Sequence, residues 1–312
     1  MPSYDLAETL FLGLSQLKGV GYKTLRDLGG VSGVARQIIT GELDEFVAAA
    51  VGDRADEGAE TILTQLGEGV VTDLRSKGVD LISMGDPLFP QAFMDLPVEE
   101  RPLWLFSRGR TELLSAISVA VVGTRNVTPI GEFLTRYAVS VLADIGVPVV
   151  SGLAKGVDSV AHEWAVISRI PNISILGTGI LRHYPARNLE LADKIVDQGG
   201  VLVSEYAPYS EPSADQFVWR NRLQAAISCC VVAPEWKRSS GTAHTIRFAK
   251  ALTRPTLGMQ LTKVLPNPSR GEADSEFIIP TQATAFKEAI GEVVKKQLDL
   301  VKPQEDMFGA LP

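Results

Sequence analysis

From about residue 118 the chain repeats one pattern: a short unbroken apolar run, a glycine or small polar residue, then a longer stretch with apolar residues at helical spacing. The runs are "SVAVVG" (118–123), "GVPVVSG" (146–152), "NISILGTG" (172–179), "GVLVSEY" (200–206), "CCVVAPE" (229–235) and "PTLGMQ" (255–260). Strands that are apolar on both faces and separated by helices point to a mostly parallel sheet covered on both sides. Helices are expected over 131–145, 155–168, 188–198 and 241–252, with a last one over 281–299. The fold class that follows is α/β, a Rossmann-like, doubly wound, mostly parallel sheet.

Ahead of this pattern the first sixty or so residues read as short helices. "LAETLFLGLSQLKGVGYKTLRDLGG" breaks at Lys18-Gly19-Val20-Gly21, the outline of a small all-helical domain of helix-hairpin-helix or SAM-like type. Two readings of that turn stand side by side: N–H groups that meet a phosphate, and a plain packing turn. "VDLISMGD" (79–86) reads as a strand ending in a turn, and the proline-rich stretch after it carries Trp104 and Phe106. The expected organisation is a helical domain over 1–68, a Rossmann-like core over 69–265, and a linker, C-terminal helix and tail over 266–312. Within the linker, "KVLPNPSRGEADSEF" is expected to be irregular.

Composition narrows the function classes. With 45% hydrophobic and 21% charged residues the 312-residue chain is ordinary globular material. A net charge of −7 confines any nucleic-acid site to a local patch, because the field in a cleft depends on its own side chains. Cys229 and Cys230 are adjacent in a strand-like run, so they are expected to be small core residues. There is no metal-ligand spacing, and neither a metal nor a cofactor is expected. The N-terminus lacks the basic and apolar regions of a signal peptide, and no stretch has the length of a membrane span. The expectation is a cytoplasmic protein without a membrane role.

A sheet of this kind binds ligands at the carboxyl ends of its strands. The residues there are Gly123-Thr124-Arg125, Ser151-Gly152, Gly177-Thr178-Gly179, Ser204-Glu205-Tyr206 and Pro234-Glu235. In "VVGTRNVTPIGEF" the glycine permits a sharp turn from which Arg125 projects, and no G-x-G-x-x-G dinucleotide fingerprint is present. In "VVSGLAKGVDSVAH" the turn N–H groups and Lys155 suit a phosphate. In "FVWRNRLQAAIS", Arg220 and Arg222 flank Asn221 ahead of a helix. Guanidiniums and turn N–H groups bind phosphates, and nothing at these positions pairs a nucleophile with a base. Phe217, Trp219 and Tyr184 are either base-stacking residues or core.

The order of these blocks is itself informative. Gly123-Thr124-Arg125 is followed by "SGLAKGVDSVAH" (151–162), "LGTG…YPARN" (176–188), "GGVLVSEYAP" (199–208), "F-x-x-RNR" (217–222) and "SGTA" (240–243). With "GDPLFPQAF…RPLWLFSRG" upstream, the chain resembles the DprA/Smf family of DNA-processing proteins over roughly residues 80–260. The resemblance implies single-stranded DNA binding by a homodimeric Rossmann-like core that loads a RecA-type recombinase, with no catalysis. Carried over by motif, the DNA-contacting positions are Gly123 and Arg125, then Arg220 and Arg222. Thr124 and Asn221 lie inside the same motifs. Ser151, Gly152 and Lys155 are added on the physical grounds above.

The sequence also departs from the family. "SGTAHTIRFAKALTRPTLGMQL" lacks the usual G-S-L-x-T run and ends in Gly-Met-Gln where Pro-Gly is the family pattern. Arg182 stands where an aspartate commonly precedes the Tyr-Pro pair, and too few residues follow the core for the winged-helix domain of some members. A DprA-like regulator or antitoxin in a defence or mobile-element locus fits these departures as well. The rival enzyme reading is a phosphoribohydrolase-like, nucleotide-processing protein. Its P-G-G-x-G-T-x-x-E glutamate is replaced here by Thr245, leaving Glu205, Glu235 or an Asp158–His162 pair as substitutes. Finally, "QEDMF" (304–308) approximates the peptide that sliding clamps bind; the other reading is an end whose Phe308 packs back on the protein.

Overall fold

The computed structural model describes residues 4–52, 57–182, 185–261 and 273–301. In chain order it begins with helices α1 (Leu6–Leu14), α2 (Tyr22–Asp27), α3 (Gly30–Ile39), α4 (Asp44–Val51) and α5 (Ala59–Ser76). Strands β1 (Val79–Ser83), β2 (Trp104–Gly109) and β3 (Val119–Val121) follow, then α6 (Pro129–Ile145), β4 (Val149–Ser151), α7 (Val157–Ile167) and β5 (Asn172–Ile175). The remainder is α8 (Leu189–Asp197), β6 (Val201–Ser204), α9 (Ala214–Ile227), β7 (Cys230–Ala233), α10 (Thr242–Ala251), β8 (Thr256–Gln260), β9 (Ser275–Ile278) and α11 (Ala283–Val301). The chain divides into two compact units, Met1–Leu114 with Ile173–Arg220, and Ser115–Asn172 with Asn221–Pro312.

In the first unit α1 starts at a capping box, where Asp5 accepts from the Glu8 amide and Glu8 from the Asp5 amide. It crosses α5 at very close range. A Cβ on Gly13 would lie 1.9 Å from the Leu63 carbonyl oxygen, and one on Gly67 2.0 Å from that of Thr9. The strands follow the order β1-β2-β6-β5, with β1–β2 and β2–β6 antiparallel and β5–β6 parallel. Trp104 on β2 pins the helices to these strands, its ring 4.9 Å from Phe11 and 5.5 Å from Tyr22. The expected boundary between residues 68 and 69 therefore falls inside α5, and the helices share a core with β1 and β2. Strand β2 was not expected.

The second unit is wholly parallel, in the order β4-β3-β7-β8-β9. Val119, Val121, Val149, Cys230, Val232 and Leu257 join one core with residues of α6, α7 and α11, among them Leu134, Val157 and Phe286. The alternate residues Ala120, Val150 and Val231 are also fully buried, which is why these runs carry no polar face. Both cysteines are free and buried in this core, as their setting suggested. Helix α6 has a Thr128 cap that accepts from the Gly131 amide, a proline at its first position, and a left-handed Gly146 at its end. Strand β9 overturns the expectation that this stretch is irregular throughout. Its Ser-Glu-Phe-Ile run is short and only half-buried, so it lacks the apolar signature of the others.

Candidate nucleic-acid interface

In the second unit the ends of β3 and β4 interlock through two glycines. A Cβ on Gly123 would meet Val157 Cγ2 at 2.5 Å and the Glu235 carbonyl oxygen at 2.6 Å. Gly156, at φ +87°, leaves only 2.2 Å between such an atom and the Thr124 carbonyl oxygen. That oxygen accepts from the Val157 amide at 3.1 Å, and the Thr124 amide donates to Glu235 at 2.8 Å. Leu153 adopts a left-handed φ of 54°, which costs a branched residue about 1–2 kcal/mol. The result is two adjoining strand-end turns from which the side chains of Arg125 and Lys155 reach solvent.

Other expected site residues in this unit support the turns from below. Ser151 is buried and its hydroxyl donates to the Val121 carbonyl oxygen at 2.7 Å, tying β4 to β3. Gly152 is buried beside it. Glu235, a strand-end residue that also stood as a substitute carboxylate for the enzyme reading, is the organiser here. Its carboxylate accepts from the Thr128 amide at 2.9 Å and the Thr128 hydroxyl at 3.1 Å, and Gly131 has no room for a side chain against it. A carboxylate thus already occupies the α6 N-terminus and complements its dipole.

The arginine pair requires a correction. Arg220, Asn221 and Arg222 do not precede a helix but lie inside α9, and all three are buried, Arg222 at 0% and Arg220 at 3% exposure. Every residue from Arg220 to Ile227 is buried, so this part of α9 has no amphipathic stripe and periodicity did not show that the arginines lie inside the helix. The signal available was Ser213, whose hydroxyl accepts from the Gln216 amide at 3.2 Å, the local pattern of a helix cap. In the first unit Arg220 Nη1 donates to the Ile175 carbonyl oxygen at the end of β5. In the second unit Asn221 donates to the Gly241 carbonyl oxygen at 3.1 Å. Arg220 and Asn221 thus hold a strand end and a turn in place, and all three residues are buried.

The strand ends of the first unit are packed differently. The Phe217 ring lies against Gly177, where a Cβ would come within 2.5 Å of it, and the residue stays half-exposed. Gly179 closes on the carbonyls of Ala207 and Pro208. Arg182 is exposed but ion-paired with Glu211, which offsets the charge it would bring. Glu205 is buried and accepts from the Tyr22 hydroxyl at 2.7 Å. Tyr184 and the "QEDMF" tail lie outside the described residues.

The groups that would serve a hydrolase are committed elsewhere. Glu205 and Glu235 are engaged as above, Asp158 is buried, and His162 is fully buried with Nδ1 2.9 Å from Asn172 Oδ1. Thr245 is buried as well. Among the described residues no group of three or more His, Cys, Asp or Glu is placed to hold a metal ion, and no helix is long and apolar enough to cross a membrane.

The second unit is thus a Rossmann-like α/β unit with cationic, glycine-cut strand ends. The family model for DNA recombination-mediator protein A matches residues 80–289, and the chain belongs to this family. Among curated proteins it is 28% identical over 264 residues to protein Smf of Synechocystis, covering 81% of this chain and 64% of that protein. With DNA processing protein DprA of Bacillus subtilis it shares 30% over 177 residues, covering 56% and 59%. With protein Smf of Escherichia coli it shares 37% over 154 residues, covering 49% and 41%. The chain therefore spans roughly two-fifths to two-thirds of the length of these relatives. Two solved structures share the fold. One is Streptococcus pneumoniae DprA, with a TM-score of 0.59 at 24% identity over 94% of both chains. The other is Helicobacter pylori DprA, whose structure was reported for its single-stranded DNA binding mode, with a TM-score of 0.54 at 26% identity over 71% of this chain and 96% of that one.

Proposed function

We propose that the protein binds single-stranded DNA by its phosphate backbone, without catalysis, and hands the strand to a RecA-type recombinase. The observation that carries the binding is the pair of solvent-facing cations, Arg125 and Lys155, set side by side on turns that Gly123 and Gly156 lock together. Thr124 shapes that turn by accepting from the Asn126 amide at 3.2 Å. In the second unit Ser151, Gly152, Asn221 and Arg222 are buried and act as structural support; in the first unit Arg220 does the same, and the half-exposed Phe217 is the residue we assign to stacking on a base. Binding reported for the Helicobacter pylori relative supports this reading.

The test is the salt dependence of binding to a fluorescent oligothymidine. Phosphate contacts predict a log–log slope of about −0.7 per phosphate for a single strand. A flat response, or Arg125→Ala binding like wild type, overturns the reading. Recombinase loading rests on family membership and is tested separately, by whether the protein speeds RecA filament growth on DNA coated with single-strand-binding protein. Self-association is assigned to the exposed Ile130 and Phe133 on α6, a strip leading to Tyr137; Phe133→Glu should then shift the mass seen by light scattering toward the monomer. The "QEDMF" tail is assigned to a sliding clamp, and removing 302–312 should abolish clamp capture while leaving oligonucleotide affinity unchanged.

A further inference from the structure

The glycine turn at residues 18–21, open by sequence to a phosphate contact or to plain packing, delivers a tyrosine pointed inward. Tyr22, the first residue of α2, packs its ring 5.2 Å from that of Tyr206 and 5.5 Å from Trp104. Its hydroxyl donates to buried Glu205 at the end of β6 and accepts from Trp219 Nε1 on α9 at 3.4 Å. One ring further on, the Tyr206 hydroxyl donates to the Gln216 carbonyl oxygen, also on α9. The first two turns of α9 are thus tied to α2 through Trp219, to the segment after β6 through Gln216 and to the end of β5 through Arg220. Phe217 sits in the middle of this stretch, its ring over Gly177.

We infer that Tyr22 is a positioning residue for nucleic-acid binding: by holding Glu205 and Trp219 it fixes the start of α9 and with it the Phe217 ring. This inference rests on the proposed single-stranded DNA binding for its functional consequence, but its structural half stands alone. A stacking ring contributes in proportion to how little it must be ordered when the base arrives. The helical segment supplies that order from outside the strand-end turns. It is a use for the hairpin turn that needs no contact between the turn and DNA.

Two measurements on the full chain test it. Tyr22→Phe keeps both ring contacts and removes only the hydroxyl, and Trp219→Phe removes the donor on the other side. In the absence of DNA, both variants should speed amide exchange over 214–220 with the exchange of α10 unchanged. Unchanged exchange at 214–220 overturns the inference whatever the DNA result. With an oligothymidine carrying 2-aminopurine, Tyr22→Phe should bind about fivefold more weakly and quench less on binding. Phe217→Ala should do the same, and the double variant should be little worse than Phe217→Ala alone, the non-additivity of residues acting through one another. Fully additive losses, or Tyr22→Phe binding as wild type does, also overturn it. Failure of the wild type to bind, or of Arg125→Ala to weaken binding, would instead overturn the binding reading itself.

Discussion

Two sets of parallel strand ends in this protein have met opposite fates. At the ends of β3 and β4 the turns are trimmed to glycine, packed backbone to backbone, and carry the exposed Arg125 and Lys155. At the ends of β5 and β6 the turns are closed over by aromatic rings and by the buried Glu205–Tyr22 pair. The topological rule that ligands bind at the carboxyl ends of strands selects both places equally. What separates them is the layer above. On the proposed function the end that keeps Arg125 and Lys155 exposed is the binding surface, whereas at the other end a tyrosine hydroxyl and a carboxylate are bonded to each other.

The largest expected effect tests the open end. The double variant Arg125→Ala, Lys155→Ala should lower oligonucleotide affinity by about 100-fold, each lost charge-assisted contact contributing about 1.4 kcal/mol. Its salt slope should become shallower by about 1.4, two contacts at roughly 0.7 each. Because both side chains are exposed, the thermal midpoint should not move. Loss of affinity without a change of slope would mean that these cations do not touch phosphates, and the distinction between the two ends would lose its electrostatic basis.

Next in size is the backbone lock. Gly156→Ala combines a left-handed φ of +87° with a Cβ 2.2 Å from the Thr124 carbonyl oxygen, so the turn must shift. We expect about 2–4 kcal/mol of lost stability in urea unfolding, with oligonucleotide affinity falling alongside it. Gly146→Ala makes the control: it shares a positive φ of +77° but has open space around the missing Cβ, so its cost should be about 1 kcal/mol and confined to stability.

These contrasts also show what the residue pattern could and could not reveal. Strands β3 to β8 were legible because each is apolar on both faces, a pattern that only a doubly covered sheet produces. Gly123-Thr124-Arg125 was legible because a glycine between a buried run and an arginine implies a turn with a cation on it. Strand β2 escaped notice because its Trp104 and Phe106 follow a proline-rich stretch and pair antiparallel, outside the strand–helix alternation. The arginine pair was visible as chemistry but not as geometry. Arg220 and Arg222 are polar residues in the buried half of α9, and only tertiary packing decides that the Arg220 guanidinium donates to a strand carbonyl instead of meeting solvent. Glu235 stood in the sequence as a substitute carboxylate for the rival enzyme reading, and its contacts with the Thr128 amide and hydroxyl commit it to the start of α6 instead.

Glu235→Ala should therefore act as a structural lesion with a modest functional shadow. Removing the acceptor of the Thr128 amide and hydroxyl, and the negative charge at the α6 N-terminus, should cost about 1–2 kcal/mol in urea unfolding. Oligonucleotide affinity should fall less than in Arg125→Ala. A catalytic carboxylate would behave in the opposite way, with stability kept or raised on its removal and an activity lost.

The smallest effect lies at the covered end. Tyr209, on the segment after β6, donates its hydroxyl to Asp73 of α5. Burial first, then the hydrogen bond and charge of Asp73, push its ionisation up to about 12. The folded protein therefore holds this proton more tightly than the unfolded chain, whose tyrosines ionise near 10. Stability from the contact is complete below pH 10 and is lost as pH rises toward 12, since the folded state then binds the extra proton. Tyr209→Phe should flatten the fall in stability between those values relative to wild type. Near neutral pH it should change stability by no more than about 1 kcal/mol, because the ring is well exposed. If the wild-type and variant curves instead run parallel through pH 10–12, the Tyr209–Asp73 contact is not populated in solution. The cover over these strand ends would then depend on Tyr22 and the aromatic cluster around it alone.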